Sequence, residues 1–195
     1  MFLFSKKYLS AAIVLTITNT PVYAEKEGME ASEQEPAVAT DSPIEFWGPR
    51  FGGGGFSPTN QRCPYVTGYH GRVGSMIDKL GIHCYGAPSN PAHGGDGGNP
   101  VDVSCPSGFV AVGVIGSSGT LIDRFGLLCR NAAGDPWTTY THGGTGGGSF
   151  SWECPWGSVL IGLNLELGIY KKTWRSTPAT VVAMVQPVCR VATIP

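Results

Sequence analysis

GGDGGNPVDVSC (Gly94–Cys105), followed by AVGVIGSSGTLIDRFGLLC (Ala111–Cys129), contains every element of a unit that the chain uses three times. The first copy reads GGGGFSPTNQRC (Gly52–Cys63) and then VTGYHGRVGSMIDKLGIHC (Val66–Cys84). The third reads GGTGGGSFSWEC (Gly143–Cys154), then LIGLNLELGIY from Leu160, and closes with VQPVC at Cys189. In all three, eleven residues separate the first glycine of the Gly-rich loop from the first cysteine, and a proline follows that cysteine. Sixteen residues separate Gly68 from Cys84 and Gly113 from Cys129, while the third copy carries eleven more before Cys189. A fixed period of this kind marks a repeat architecture, in which each unit buries its apolar face only against its neighbours.

The local pattern inside each copy is that of strands. Val110, Val112 and Val114 alternate, as do Leu163, Leu165 and Leu167, and a period of two puts alternate side chains on one face. Glycine and proline interrupt short apolar runs every 8 to 12 residues, the rhythm of an all-β sandwich, barrel or prism. Three small sheets sharing one core are expected. Repeat symmetry pairs Cys63 with Cys84, Cys105 with Cys129 and Cys154 with Cys189, one connectivity among the fifteen that six cysteines allow. Such bonds staple the fold.

Around this unit, residues 46–195 form one domain by length. Residues 1–24 read as a secretory signal: Lys6 and Lys7, an apolar run from Leu9 to Ile17, and Val22-Tyr23-Ala24 before the expected cleavage. The run is too short to span a bilayer. Residues 25–45 hold seven acidic side chains against Lys26 and few large apolar ones, a composition that predicts a disordered leader. The reading is therefore a secreted protein, extracellular or periplasmic, and export favours disulfides over cysteine-bound metal. The domain carries ten Lys/Arg and seven Asp/Glu without blocks, which excludes a nucleic-acid footprint. No nucleophile elbow or zinc-protease motif occurs, no metal site or cofactor is expected, and the chain is read as a non-enzyme.

The segment Gly68-Tyr69-His70-Gly71-Arg72-Val73-Gly74-Ser75-Met76-Ile77-Asp78-Lys79-Leu80-Gly81 resembles the carbohydrate-binding segment of the jacalin-related lectins, with Val73 where serine is usual. Gly113 to Gly126 resembles it more loosely, with Ser117 where arginine is usual. The Gly-rich stretches are similar to that family's G-G-x-G-G loop. The cysteine–proline brackets are foreign to plant jacalins; repeated cysteines in a three-sheet fold resemble instead the egg vitelline membrane outer layer proteins. Both resemblances imply a β-prism.

The lectin resemblance implies two sugar loops: Gly74, Ser75, Met76 and Asp78 in copy one, and Gly119, Thr120, Leu121 and Asp123 in copy two. Each aspartate would accept hydroxyl hydrogen bonds, and Gly53 and Gly95 would let backbone approach the ligand without a Cβ in the way. In copy three the aspartate position falls on Lys172, so no such loop is expected there. Two roles stay open for Asp78 and Asp123: sugar acceptor, or turn residue bonding local amides. Trp152 and Trp156 are expected to pack near the Cys154 disulfide, and Trp137 and Tyr140 could offer a stacking face. The function read from these residues is glycan or glycoprotein binding, the alternative being a structural or protein-interaction role in an extracellular layer.

Overall fold

The computed structural model describes residues 44–173 and 176–195, so the signal segment and the leader through residue 43 lie outside the described residues. Glu45, assigned to the leader by composition, instead opens a strand: it pairs in register with Arg190, and its carboxylate meets Arg62 Nε at 3.4 Å.

All elements among the described residues are strands. Ahead of and within copy one are β1 (Glu45–Trp47), β2 (Phe51–Gly52), β3 (Phe56–Arg62) and the hairpin β4 (Val66–Val73) with β5 (Ile77–Cys84). Copy two adds β6 (His93–Gly94), β7 (Asn99–Ser104) and the hairpin β8 (Phe109–Ser118) with β9 (Ile122–Asn131). After β10 (Pro136–Thr138), copy three adds β11 (His142–Gly143), β12 (Gly148–Glu153) and the long hairpin β13 (Ser158–Tyr170) with β14 (Ala179–Val191).

The strands form three antiparallel sheets, but no sheet is made from one copy. The β4–β5 hairpin of copy one is flanked by β6 and β7 of copy two, and the β8–β9 hairpin of copy two by β11 and β12 of copy three. Copy three's β13–β14 hairpin takes β2 and β3 from copy one, with β1 beside β14. The copies are thus exchanged around a ring, and the first Gly-rich segment closes it against the last hairpin.

This exchange changes what the disulfides do. Cys63–Cys84, Cys105–Cys129 and Cys154–Cys189 are all formed. Each joins residues of one copy, yet each crosses from one sheet to the next. The registers put the three disulfides at one end of the prism and the three Gly-rich loops with the hairpin tips at the other.

Side chains facing inward from all sheets make one core, including Tyr69, Ile77, Leu80, Ile122, Phe125, Leu163, Leu165 and Val185. Tyr69 meets Phe125 edge-on at 5.3 Å, and its hydroxyl reaches Phe125 O, Tyr140 O and His142 Nδ1. Burial pushes the Tyr69 phenol well up from its ordinary value. The period-two expectation holds only in part. Register shifts at Val66/Gly68, Ala111/Gly113 and Leu160/Gly162 place one extra residue in each hairpin. Val110 and Val112 consequently pack in a separate cluster with Val159, Ile161 and Val188, while Val114 joins the central core. The carbonyl at each bulge accepts from a cysteine N–H of the next copy: Thr67 from Cys105, Val112 from Cys154, Ile161 from Cys63. The bulges are therefore built into the repeat. Trp152 packs on the core as expected, but Trp156 is 96% exposed, because it lies in the turn beyond β12.

The loop end is held together by close backbone approach. Gly52, Gly94 and Gly143 occupy equivalent places with φ of 90°, 139° and 132°. A Cβ on each would lie 2.0–2.1 Å from the carbonyl oxygen of Ala183, Asp78 and Asp123 respectively. Gly52→Ala should therefore cost about 1–3 kcal/mol from strained backbone alone. Urea unfolding measures it; an unchanged midpoint would show that β2 can shift freely.

Candidate functional site

Each hairpin tip that carries an aspartate lies beneath the Gly-rich loop of the following copy. In copy one, the Gly74 N–H donates to Met76 O at 2.9 Å to close the turn, and the chain returns to Asp78 in β5. Asp78 O accepts the Gly95 N–H at 2.9 Å. Its carboxylate lies under Gly97 and Gly98, where a Cβ would come within 2.3 Å of Oδ1 and 2.6 Å of Oδ2. Arg72 fastens this loop, donating from Nε to Gly97 O at 2.8 Å and from Nη2 to Gly98 O at 2.7 Å. Lys79 pairs with Asp96 on the loop.

Copy two repeats the arrangement with looser surroundings. The Gly119 N–H is shared between Leu121 O and Asp123 Oδ2, both at 3.1 Å. Asp123 O accepts the Gly144 N–H at 2.8 Å, and Cβ atoms on Gly146 and Gly147 would lie 2.5 Å from Oδ1 and Oδ2. The two carboxylates differ in exposure. Asp78 is only 7% exposed, with Oδ2 buried and without a hydrogen-bond partner among the described residues, whereas Asp123 is half-buried.

Burial holds the Asp78 carboxyl above the ordinary carboxylate range, opposed by the nearby Gly74 N–H and the Arg72 charge. The unfolded chain ionises Asp78 near 3.8, the folded chain at higher pH, so the native state holds this proton more tightly. That contribution to stability is complete below 3.8 and is lost as pH rises through the folded value. The melting-temperature difference between Asp78→Asn and wild type should therefore shift in favour of the variant as pH rises from acid to neutral. Parallel melting curves across that range would contradict it.

Of the remaining sequence candidates, some face inward. Met76 is buried, and Leu121 Cδ2 lies 3.0 Å from where Gly168 would carry a Cβ. Met76 can therefore face a ligand only through its backbone, whereas Leu121 is half-buried. Ser75 O and Thr120 O each sit against a glycine of a neighbouring loop, Gly144 and Gly53, and the Gly53 N–H donates to Thr120 O at 3.2 Å. Gly95 lies against Thr180 O in the third hairpin. Gly53 and Gly95 thus lock loop to loop, and the glycines that cover the aspartates are Gly97, Gly98, Gly146 and Gly147.

In copy three, Gly168 falls within β13 and Lys172 in the exposed segment after it, because the longer hairpin carries the strand past the turn position. A carboxylate nonetheless reaches that Gly-rich loop: Glu166 Oε2 accepts the Gly55 N–H at 2.7 Å and pairs with Arg50. The Gly55 N–H first, and then Arg50, hold Glu166 below the usual carboxylate range despite partial burial. Sequence reasoning missed Glu166, since it comes from a different register position and meets a loop more than a hundred residues away.

Ser89, His83 and Asp102 form a hydrogen-bonded chain, with Ser89 Oγ and Asp102 Oδ1 each 2.8 Å from the ring. Asp102 is 75% exposed, so its charge is solvated and unlike the buried orienting carboxylate of a hydrolytic triad. Trp137 and Tyr140 are exposed. Among the described residues no cluster of three or more His, Cys, Asp or Glu could hold a metal ion, and no helix is long and apolar enough to cross a membrane.

No protein-family model and no curated protein matches the sequence. Solved structures do match in fold. A prostate-specific WGA16 glycoprotein lectin aligns at 19% identity over 74% of this chain and 97% of its own, with a TM-score of 0.55. Malaysian banana lectin aligns at 17% identity over 77% and 100%, with a TM-score of 0.57. A mannose-specific jacalin-related lectin from Morus nigra, solved with mannose, aligns at 17% over 78% and 97%, with a TM-score of 0.58. The chain has the β-prism fold of the jacalin-related lectins.

Proposed function

We propose that this chain is a secreted, non-catalytic glycan-binding protein and that the copy-two loop Gly119–Asp123 is its principal sugar site. The observation that carries this reading is Asp123, half-buried where Asp78 is buried, with its carboxylate against the backbone of Gly146 and Gly147. A negatively charged acceptor bordered by bare backbone can take two adjacent sugar hydroxyls, and charge-assisted hydrogen bonds of this kind are the stronger sort. The N–H groups of Thr120 and Leu121 complete the loop as donors. The Gly74–Asp78 loop has the same plan, but its carboxylate is closed in by Arg72 and the Gly97–Gly98 backbone, so it contributes less. Likeness of fold to lectins, one of them holding mannose, supports the ligand class. Three disulfides suit an oxidising compartment.

The test is binding of the mature, disulfide-intact protein to a glycan array, with free mannose and other monosaccharides as competitors. Binding that free sugar displaces is the expected result. A blank array from folded protein would favour the structural role in an extracellular layer and leave Asp123 as a turn residue.

A further inference from the structure

The outer faces of the three sheets carry a groove at one equivalent place, just below the Gly-rich loops. Its floor is a cross-strand pair: Arg72 with Lys79 in copy one, Ser117 with Arg124 in copy two, Glu166 with Met184 in copy three. Lys79, Arg124 and Met184 lie opposite Gly94, Gly143 and Gly52, so the three positions correspond. The charges in them do not. In copy one both cations are engaged, Arg72 by two loop carbonyls and Lys79 by Asp96. In copy three Glu166 is engaged by Arg50 and the Gly55 N–H.

Copy two has Ser117 where copy one has Arg72, and the Gly-rich loop above it has Thr145 where the loop above the copy-one hairpin has Asp96. The neutralising carboxylate is gone while the cation remains. Among the described residues Arg124 forms no ion pair, and its Nε is buried without a hydrogen-bond partner. Asp123, its neighbour in sequence, is directed to the Gly119 N–H. The groove above Arg124 encloses about 540 Å³ and presents the side chains of Ser117, Thr141, Thr145, Ser149 and Ser151 beside Gly146 and Gly147. This is the largest of the three: the copy-one groove encloses about 400 Å³ and the copy-three groove about 170 Å³.

We propose that the Arg124 groove binds an oxyanion, the carboxylate or sulfate of an acidic glycan whose adjoining sugar occupies the Asp123 loop. A guanidinium without a counter-charge is costly in a half-buried groove; protein covers its Nε, so an oxyanion would be met by the Nη end, which is not among the buried atoms. The surrounding hydroxyls supply further donors. Gly146 and Gly147 border both the groove and the Asp123 carboxylate, so a single oligosaccharide can engage both. This assignment rests on the glycan reading only for the neighbouring sugar; the anion site stands on Arg124 itself.

The experiment compares three hexasaccharides by calorimetry: chondroitin sulfate, unsulfated chondroitin and uncharged chitohexaose. The expected result is at least about tenfold tighter binding of one or both charged chains than of chitohexaose, weakening with added salt. Chondroitin against its sulfated form identifies which oxyanion is preferred. Arg124→Gln, and Thr145→Asp, which restores the copy-one ion pair, should each bring the charged-to-neutral ratio to about one. Equal binding of all three chains by the wild type, or a preference that survives both substitutions, would overturn the proposal.

Inorganic sulfate provides the second arm. It should shift the Arg124 Nε–H resonance of the wild type and leave that of Thr145→Asp unmoved. A sulfate response with no hexasaccharide binding would sink the glycan reading while keeping the anion site. Hexasaccharide binding without charge preference would do the reverse.

Discussion

Reduction of the three disulfides is expected to unfold the domain at physiological temperature. The cysteines are 21, 24 and 35 residues apart in sequence, separations that place each bond at about 3–4 kcal/mol in the chain-entropy account. Together they contribute about 10 kcal/mol, as much as the whole net stability of an ordinary domain. The placement adds to the effect, because every bond crosses a seam between two sheets and no sheet can close its inner face alone. Far-UV circular dichroism and melting, with thiols counted in parallel, read the outcome. A fully reduced chain that melts within a few degrees of the oxidised one would show that the shared core suffices. Replacing Cys154 and Cys189 together by serine should cost most among the single-bridge variants, since that bond closes the longest loop.

Asp123→Ala should lower glycan binding by about 100-fold while leaving the fold intact. The estimate takes two charge-assisted hydrogen bonds at about 1.5–3 kcal/mol each, discounted for water that replaces the lost carboxylate. From a millimolar starting affinity, a loss of that size is complete on an array. Asp123→Asn separates the two roles of the side chain: it keeps an acceptor for the Gly119 N–H and removes the charge offered to sugar. Loss of binding in both variants with unchanged melting supports a sugar acceptor. Full binding in Asp123→Asn would make the carboxylate a turn residue, and retained binding in Asp123→Ala would remove the site assignment. Asp78→Ala should lower binding far less, because its carboxylate is nearly closed off from solvent.

Much of the candidate site's geometry was legible because it is local. A glycine, three residues and an aspartate close a hairpin tip by bonds that span at most four residues, such as Gly119 N–H to Asp123. What a linear reading could not supply was the partner above each tip. Gly53 and Gly95 were natural candidates as glycines of the recurring loop, yet they meet Thr120 and Thr180, while Gly97 and Gly146 cover the aspartates. The difference between Asp78 and Asp123 was equally hidden. It arises from Arg72 and Asp96 on one side and Ser117 and Thr145 on the other, residues that only strand pairing brings together.

The sequence by itself determined that the domain is all-β, that it is built from three copies, and which cysteines share a copy. Those properties follow from alternation, spacing and turn residues, all of which act over a few positions along the chain. Only the tertiary structure decided that the copies interleave. An edge strand lowers its free energy by pairing with whichever hairpin is beside it, and here that is always the hairpin of the preceding copy, with the third joined to the first. From that exchange come the disulfides between sheets, the Gly-rich loop over its neighbour's aspartate, and an arginine left without a counter-charge.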